Sequence, residues 1–161
     1  FAAFDRRQEV VNCYRRGADG TWCVRPDPFL DDWSAEDYRF LTECLIRTLE
    51  RGGAVFGAFV CGALKGFCSV EAPPLGSRGQ YRDLSSLHVS RELRGQGMGK
   101  KLFALAAGAA RRMGGEKLYI SSHSAVETQA FYRGMGCRDA EEIDAAHAAR
   151  EPFDCQLEYI L

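Results

Sequence analysis

The stretch LHVSRELRGQGMGKKLFALA, residues 87–106, decides how this chain is read. It places Gly95, Gly97 and Gly99 within five positions and flanks them with Arg91, Arg94, Lys100 and Lys101. An extended run, YRDLSSLHV (81–89), precedes the glycines, and an Ala-rich helical pattern, KKLFALAAGAARRMG (100–114), follows them. At a strand-to-helix junction the first backbone N–H groups of the helix lack intrahelical partners and the dipole presents its positive end. The junction is therefore a place for an anion. Glycines let a backbone come close to such a ligand, and the cations add charge.

Three glycine-loop templates fail. A dinucleotide fingerprint, GxGxxG, needs a third glycine where Lys100 or Leu102 stands. A Walker loop needs glycine at Arg94 and Ser or Thr at Lys101. A kinase loop joins two strands, whereas a helix follows here. What remains is the pattern RxxGxG, Arg94 to Gly99.

Working outward, VVNCYRR (10–16) and TWCVRP (21–26) read as a hairpin around GADG. Ser34 with Asp37 three residues on marks a helix start. Phe40, Leu41, Cys44, Leu45 and Leu49 recur at helical spacing up to the stop at Gly52-Gly53. AVFGAFV (54–60) and ALKGFCSV (63–70) flank Cys61-Gly62 as a second hairpin, and prolines and glycines mark 73–79 as a loop. KLYISSH (117–123) reads as a strand, AVETQAFYRGMG (125–136) as a helix, and DCQLEYIL (154–161) as a last strand. RDAEEI (138–143) is a further short strand by pattern. Strands mixed irregularly with helices argue for an α+β, mixed sheet.

The chain of 161 residues suits one domain. A formal net charge of −1 argues against coating nucleic acid or an anionic membrane, so neither partner is expected. That total hides an asymmetry: residues 91–112 carry six cations and one acid, whereas 139–158 carry seven acids and one Arg. The acidic cluster reads first as a solvated face. Seven cysteines without a CxxC, and three histidines outside any zinc spacing, read as reduced thiols in a cytoplasmic protein without metal. No apolar run is long enough to span a bilayer, and no signal peptide is visible. The chain begins at Phe1, which leaves room for a missing first element.

The stretch 87–106 resembles the acetyl-CoA-binding core of the GNAT superfamily of N-acetyltransferases, with its V-x-x-x-x-R-G-x-G-[IM]-G pattern. AFYRGMGC (130–137) resembles the helix that follows in that family, which ends F-Y-x-x-x-G-[FC]. One helix and one strand separate the two motifs, as in the family. The resemblance implies a single domain over 1–161, with a central, mostly antiparallel twisted sheet splayed at the acetyl-CoA site and flanked by helices. It implies acetyl-CoA as co-substrate, no metal, and transfer of the acetyl group to a primary amine of a small molecule or peptide; a homodimer is compatible with it.

The resemblance also assigns residues. The backbone of Gly95, Gln96, Gly97, Met98, Gly99 and Lys100, with charge from Arg94, would hold the pyrophosphate, and Arg91 would add charge toward the adenosine phosphate. The backbone of Leu87, His88 and Val89 would meet pantetheine and the thioester. Tyr132 matches the family's general acid at the CoA sulfur, and a phenol pKa of about 10 lies above that of a thiol. Many relatives carry a carboxylate in the strand before the loop, where Ser85 and Ser86 stand here. Glu71 is the leading substitute as general base, followed by His88 and Glu127, with Asp83 set further back. Many relatives have Asn where Ala125 stands, so either Ser122, Ser124 or Glu127 takes over its contact with the pantetheine arm or that contact is missing. Phe29, Trp22, Trp33 and Tyr38 are candidates for an acceptor wall. The competing reading is a non-catalytic acyl-CoA-binding module of the same fold.

Overall fold

The computed structural model describes all 161 residues. Strands β1 (Gln8–Arg16) and β2 (Trp22–Asp31) form an antiparallel hairpin that stands as its own two-stranded sheet. Helix α1 (Ala35–Glu50) opens on a complete capping box: Ser34 Oγ accepts the Asp37 N–H, and the Asp37 carboxylate accepts the Ser34 N–H. Its apolar stripe is only partly used. Leu41, Cys44 and Leu45 are half-buried and Thr48 is buried, but Phe40 and Leu49 are exposed, against the expectation from spacing. The helix lies over β3 (Ala54–Val60) and β4 (Ala63–Val70), with Tyr38 at its start packed on Phe1 and Phe4, so one narrow stripe is covered.

The expected single strand over 81–89 is two strands in two sheets. Tyr81–Asp83 (β6, following the two-residue β5, Pro74–Leu75) runs parallel to β8 (Lys117–Ser122). Ser86–Val89 (β7) instead runs antiparallel to β4. The Leu84 N–H still reaches the Tyr119 carbonyl at 2.9 Å, and beyond it the chain leaves β8. The result is a three-stranded sheet, β3-β4-β7, and a five-stranded sheet, β5-β6-β8-β10-β9, where β9 is Arg138–Asp139 and β10 is Cys155–Ile160. All named pairings are antiparallel except β6 with β8. The two sheets part between β7 and β8, which is the expected splay.

Helix α2 (Met98–Arg112) packs across the parting on one face. Its Leu102, Phe103, Ala106, Ala107 and Ala110 join Cys68, Val70, Leu118, Ile120 and Leu157 in the main core, and the alanines let the helix lie close. Helix α3 (Val126–Gly134) contributes Tyr132 to the same cluster. A short helix, α4 (Ala145–Arg150), was not legible in the pattern. It is pinned by His147, whose Nε2 lies 3.0 Å from Asp83 and whose Nδ1 lies 2.8 Å from Asp144.

Candidate active site

The glycine loop ends on Gly97, which is in the left-handed region (φ 84°) and serves as the N-cap of α2 without a side-chain bond. Gly95 is left-handed too (φ 75°), and a Cβ at either position would meet nothing within 4 Å. These two glycines set the turn and leave its face open. Gly99 is needed for another reason: a Cβ there would stand 3.2 Å from the Phe131 ring, where α2 crosses α3. The first turn of α2 carries Lys100 and Lys101 and no acid. Cations at the positive end of a helix dipole oppose it by roughly 0.3–1 kcal/mol each, a cost that a bound anion removes.

Above this turn lies a cleft of about 600 Å3, lined by Gly95, Gly97, Gly99 and Lys100 at one end and by Leu87, Val89, Phe131 and Tyr132 at the other. A smaller cavity of about 160 Å3 continues it between β7 and β8, sharing Leu87, Val89, Arg94, Thr128 and Tyr132. Its walls are Ser85, Ser86 and His88 on one side and Ser121, Ser122 and His123 on the other. Tyr132 thus stands where the two spaces meet. It is 7% exposed, and burial pushes its phenol well above the ordinary tyrosine range. Its hydroxyl makes no hydrogen bond within the chain, so its proton is free to face the cleft.

The strand geometry refines the backbone assignments. The Ser90 N–H bonds to Lys65, the residue just past the Gly66–Val89 pairing of β4 and β7, at 2.8 Å. Alternation along the strand then turns the His88 N–H toward β4 as well, and the Leu87 and Val89 groups toward the cleft. The Val89 carbonyl on that side receives Arg94 Nε at 3.0 Å. The backbone N–H of His88 is therefore spent on β4 rather than turned to the cleft. Its ring packs 4.8 Å from Trp33 and 5.2 Å from Phe67, and burial lowers its pKa to about 3. It is neutral and too weak a base for an ammonium.

Other expected residues also shift role. Arg94 spends its guanidinium on the carbonyls of Val89, Arg7 and Arg6, at 2.7–3.0 Å, and so ties the N-terminal segment to the end of β7 rather than pointing at phosphate. Arg91 lies 3.8 Å from Glu9. The Gln96 side chain turns back to the Glu92 carbonyl, and Met98 packs against Gly66, so these two offer only their backbones. Glu71 lines neither space. Its carboxylate accepts Thr48 Oγ1 at 2.6 Å and Ser85 Oγ at 2.9 Å, and only Ser85 reaches the cavity. Glu127 lines the cofactor cleft. Ser122 and Ser124 are buried in bonds to Gln129 and Arg15, and Ala125 is bridged to Cys13. Thr128, whose pattern carried no signal, is a second hydroxyl, beside Tyr132, at the junction of both spaces. Asp83 is engaged with His147. No cluster of three or more His, Cys, Asp or Glu side chains that could hold a metal is assembled.

An open glycine turn at the start of α2 thus leads through a cleft to a parted pair of strands, with Tyr132 at the parting. Residues 11–137 match the model of the acetyltransferase (GNAT) family, and the chain belongs to that family. No curated protein sequence is similar enough to count as a match. Among solved structures, nourseothricin acetyltransferase is similar at 20% identity and TM-score 0.66, over 97% of this chain and 86% of that one. A candidate streptothricin acetyltransferase from Bacillus anthracis, in complex with acetyl coenzyme A, is similar at 13% identity and TM-score 0.74, over 100% and 92% of the two chains. The PaiA N-acetyltransferase from Thermoplasma acidophilum, in complex with coenzyme A, is similar at 19% identity and TM-score 0.59, over 80% of each chain. The protein is thus a GNAT-fold acetyltransferase that uses acetyl-CoA as co-substrate.

Proposed function

We propose that the chain transfers the acetyl group of acetyl-CoA directly to a primary amine of a small molecule, with Tyr132 as general acid. The observation that carries this reading is the single path from the open glycine turn, through the cleft, to the unpartnered hydroxyl of Tyr132. The pyrophosphate sits on the backbone of residues 95–100, and the Leu87 and Val89 groups edge the pantetheine arm. The amine attacks the thioester carbon in the small cavity. Its proton passes to Ser85 Oγ as Ser85 gives its own to Glu71, so Glu71 acts one hydroxyl away from the substrate. The C–S bond breaks, and the thiolate takes the Tyr132 proton.

Two features bear on the acceptor. A third cavity, of about 320 Å3, lies between the β1–β2 hairpin and the α4 segment, with Trp22 and Phe153 beside the acids Asp139, Glu151 and Asp154 and the cations Arg15 and Arg16. Asp154 accepts Ser121 Oγ at 3.1 Å, and Ser121 lines the transfer cavity. Streptothricin-type and aminoglycoside antibiotics are the first acceptors to try, since proteins so described share the fold. The seven free thiols support a cytoplasmic setting.

Thiol release from acetyl-CoA across a panel of nourseothricin, kanamycin, spermidine, amino acids and a peptide N-terminus tests the reading. Turnover on at least one amine, lowered about 10²–10⁴-fold in Tyr132→Phe, is expected. CoA binding without turnover on any amine would replace it with the non-catalytic module.

A further inference from the structure

The cavity between β7 and β8 contains a donor that the mechanism above does not use. His123, at the end of β8, accepts the Ala125 N–H on Nδ1 at 3.0 Å. Its carbonyl receives the Gln129 amide at 2.8 Å, and its ring rests on Phe29 with centroids 4.9 Å apart. Burial holds the imidazole below the ordinary histidine range, and therefore neutral. A neutral imidazole that accepts on one nitrogen carries its proton on the other. His123 consequently presents an Nε2–H with no partner in the chain, and in this tautomer it cannot serve as a base toward the cavity.

The surroundings match a group that receives hydrogen bonds. Arg6 lines the same cavity, is 8% exposed, and keeps a buried Nε without a partner, while its other nitrogens face Gln8 and Asp31. No carboxylate lines the space. A volume of 160 Å3 corresponds to about five waters at roughly 30 Å3 each, the size of an acetyl group with an attacking amine. Anything that fills it touches its walls.

We propose that His123 donates its Nε2–H to the thioester carbonyl oxygen of acetyl-CoA, across the cavity from the Leu87 N–H, and holds the oxyanion of the tetrahedral intermediate. The amine lone pair forms the C–N bond while the carbonyl π pair moves onto the oxygen, where the imidazole N–H meets it. Collapse returns that pair to the carbonyl and expels sulfur with the C–S electrons, and sulfur then takes the Tyr132 proton. His123 neither gains nor loses a proton in the cycle. This assignment rests on the acetyl-transfer reading.

The test is NMR of the uniformly 15N-labelled full chain, with S-acetonyl-CoA, a ketone analogue of acetyl-CoA, as the probe and free CoA as the control. The expected result is an Nε2–H tautomer at His123 whose proton signal moves downfield with the ketone analogue and not with CoA. Gly95 and Gly97 amides report cofactor binding independently. If they move while the His123 proton does not, or if the proton sits on Nδ1, the His123 assignment fails alone. If the glycine amides do not respond either, the cofactor reading fails with it. On an amine that turns over, His123→Phe, which keeps the ring against Phe29, should lower kcat roughly 10²-fold with KM for acetyl-CoA unchanged. His123→Gln, which keeps an N–H donor, should recover part of that loss; equal kcat in wild type and His123→Phe overturns the proposal.

Discussion

Tyr132 shows how one side chain changes meaning with its surroundings. In sequence it is an aromatic beside Phe131 on an amphipathic helix; in the fold it is buried at the meeting of two spaces with its hydroxyl unclaimed. Removing that hydroxyl in Tyr132→Phe should cost about 10²–10⁴ in kcat with little change in KM for acetyl-CoA, read by steady-state thiol release. Because burial raises its pKa, the phenol stays protonated across the neutral range and adds no alkaline limb there. Gly97 makes a complementary residue-scale case. At φ 84° any side chain brings strain of about 1–2 kcal/mol, so Gly97→Ala should raise the Kd for CoA about tenfold by calorimetry. The place of Tyr132 beside the cleft was legible because the motif around it is local. That of His123 was not, because it depends on the Ala125 N–H and on Phe29 from another sheet.

Elements were read well where one periodicity sufficed and poorly where two sheets share a strand. YRDLSSLHV reads as continuous because each half is extended, and nothing in it says that Leu84 ends one set of partners and Ser86 begins another. The acidic C-terminal third was also misread as simply solvated. Glu158 is fully buried on β10 and accepts Tyr81 Oη at 2.6 Å, Lys117 Nζ and Arg138 Nε at 2.9 Å, and the Glu141 N–H at 3.2 Å. These bonds hold its carboxyl down at about 2, against the burial that would raise it. It stitches β10 to β8, β6 and β9. Glu158→Gln leaves two cations short of their counter-charge and should cost about 3 kcal/mol in urea unfolding, while acetyl-CoA binding by the remaining folded protein persists.

For the whole molecule, the pH dependence of stability follows from two half-buried histidines of opposite sign. His147, beside Asp83 and Asp144, is raised to about 9, so its contribution is complete below 6.5 and is lost as pH rises through about 9. His88 is lowered to about 3, so the folded state loses ground as pH falls from 6.5 toward 3. Chemical denaturation should therefore show stability falling by about 2 kcal/mol from pH 6.5 to 9, and this decline should largely vanish in His147→Gln.

The sequence by itself determined the cofactor turn, its helix, the tyrosine and the class of reaction, because each rests on residues close together in the chain. Only the tertiary structure decided that Arg94 braces the N-terminal segment, that the Glu71 carboxylate is held behind Ser85, and that two histidines differ by what packs on them. Those outcomes depend on desolvation and on hydrogen-bond partners tens of residues away, which no local pattern encodes.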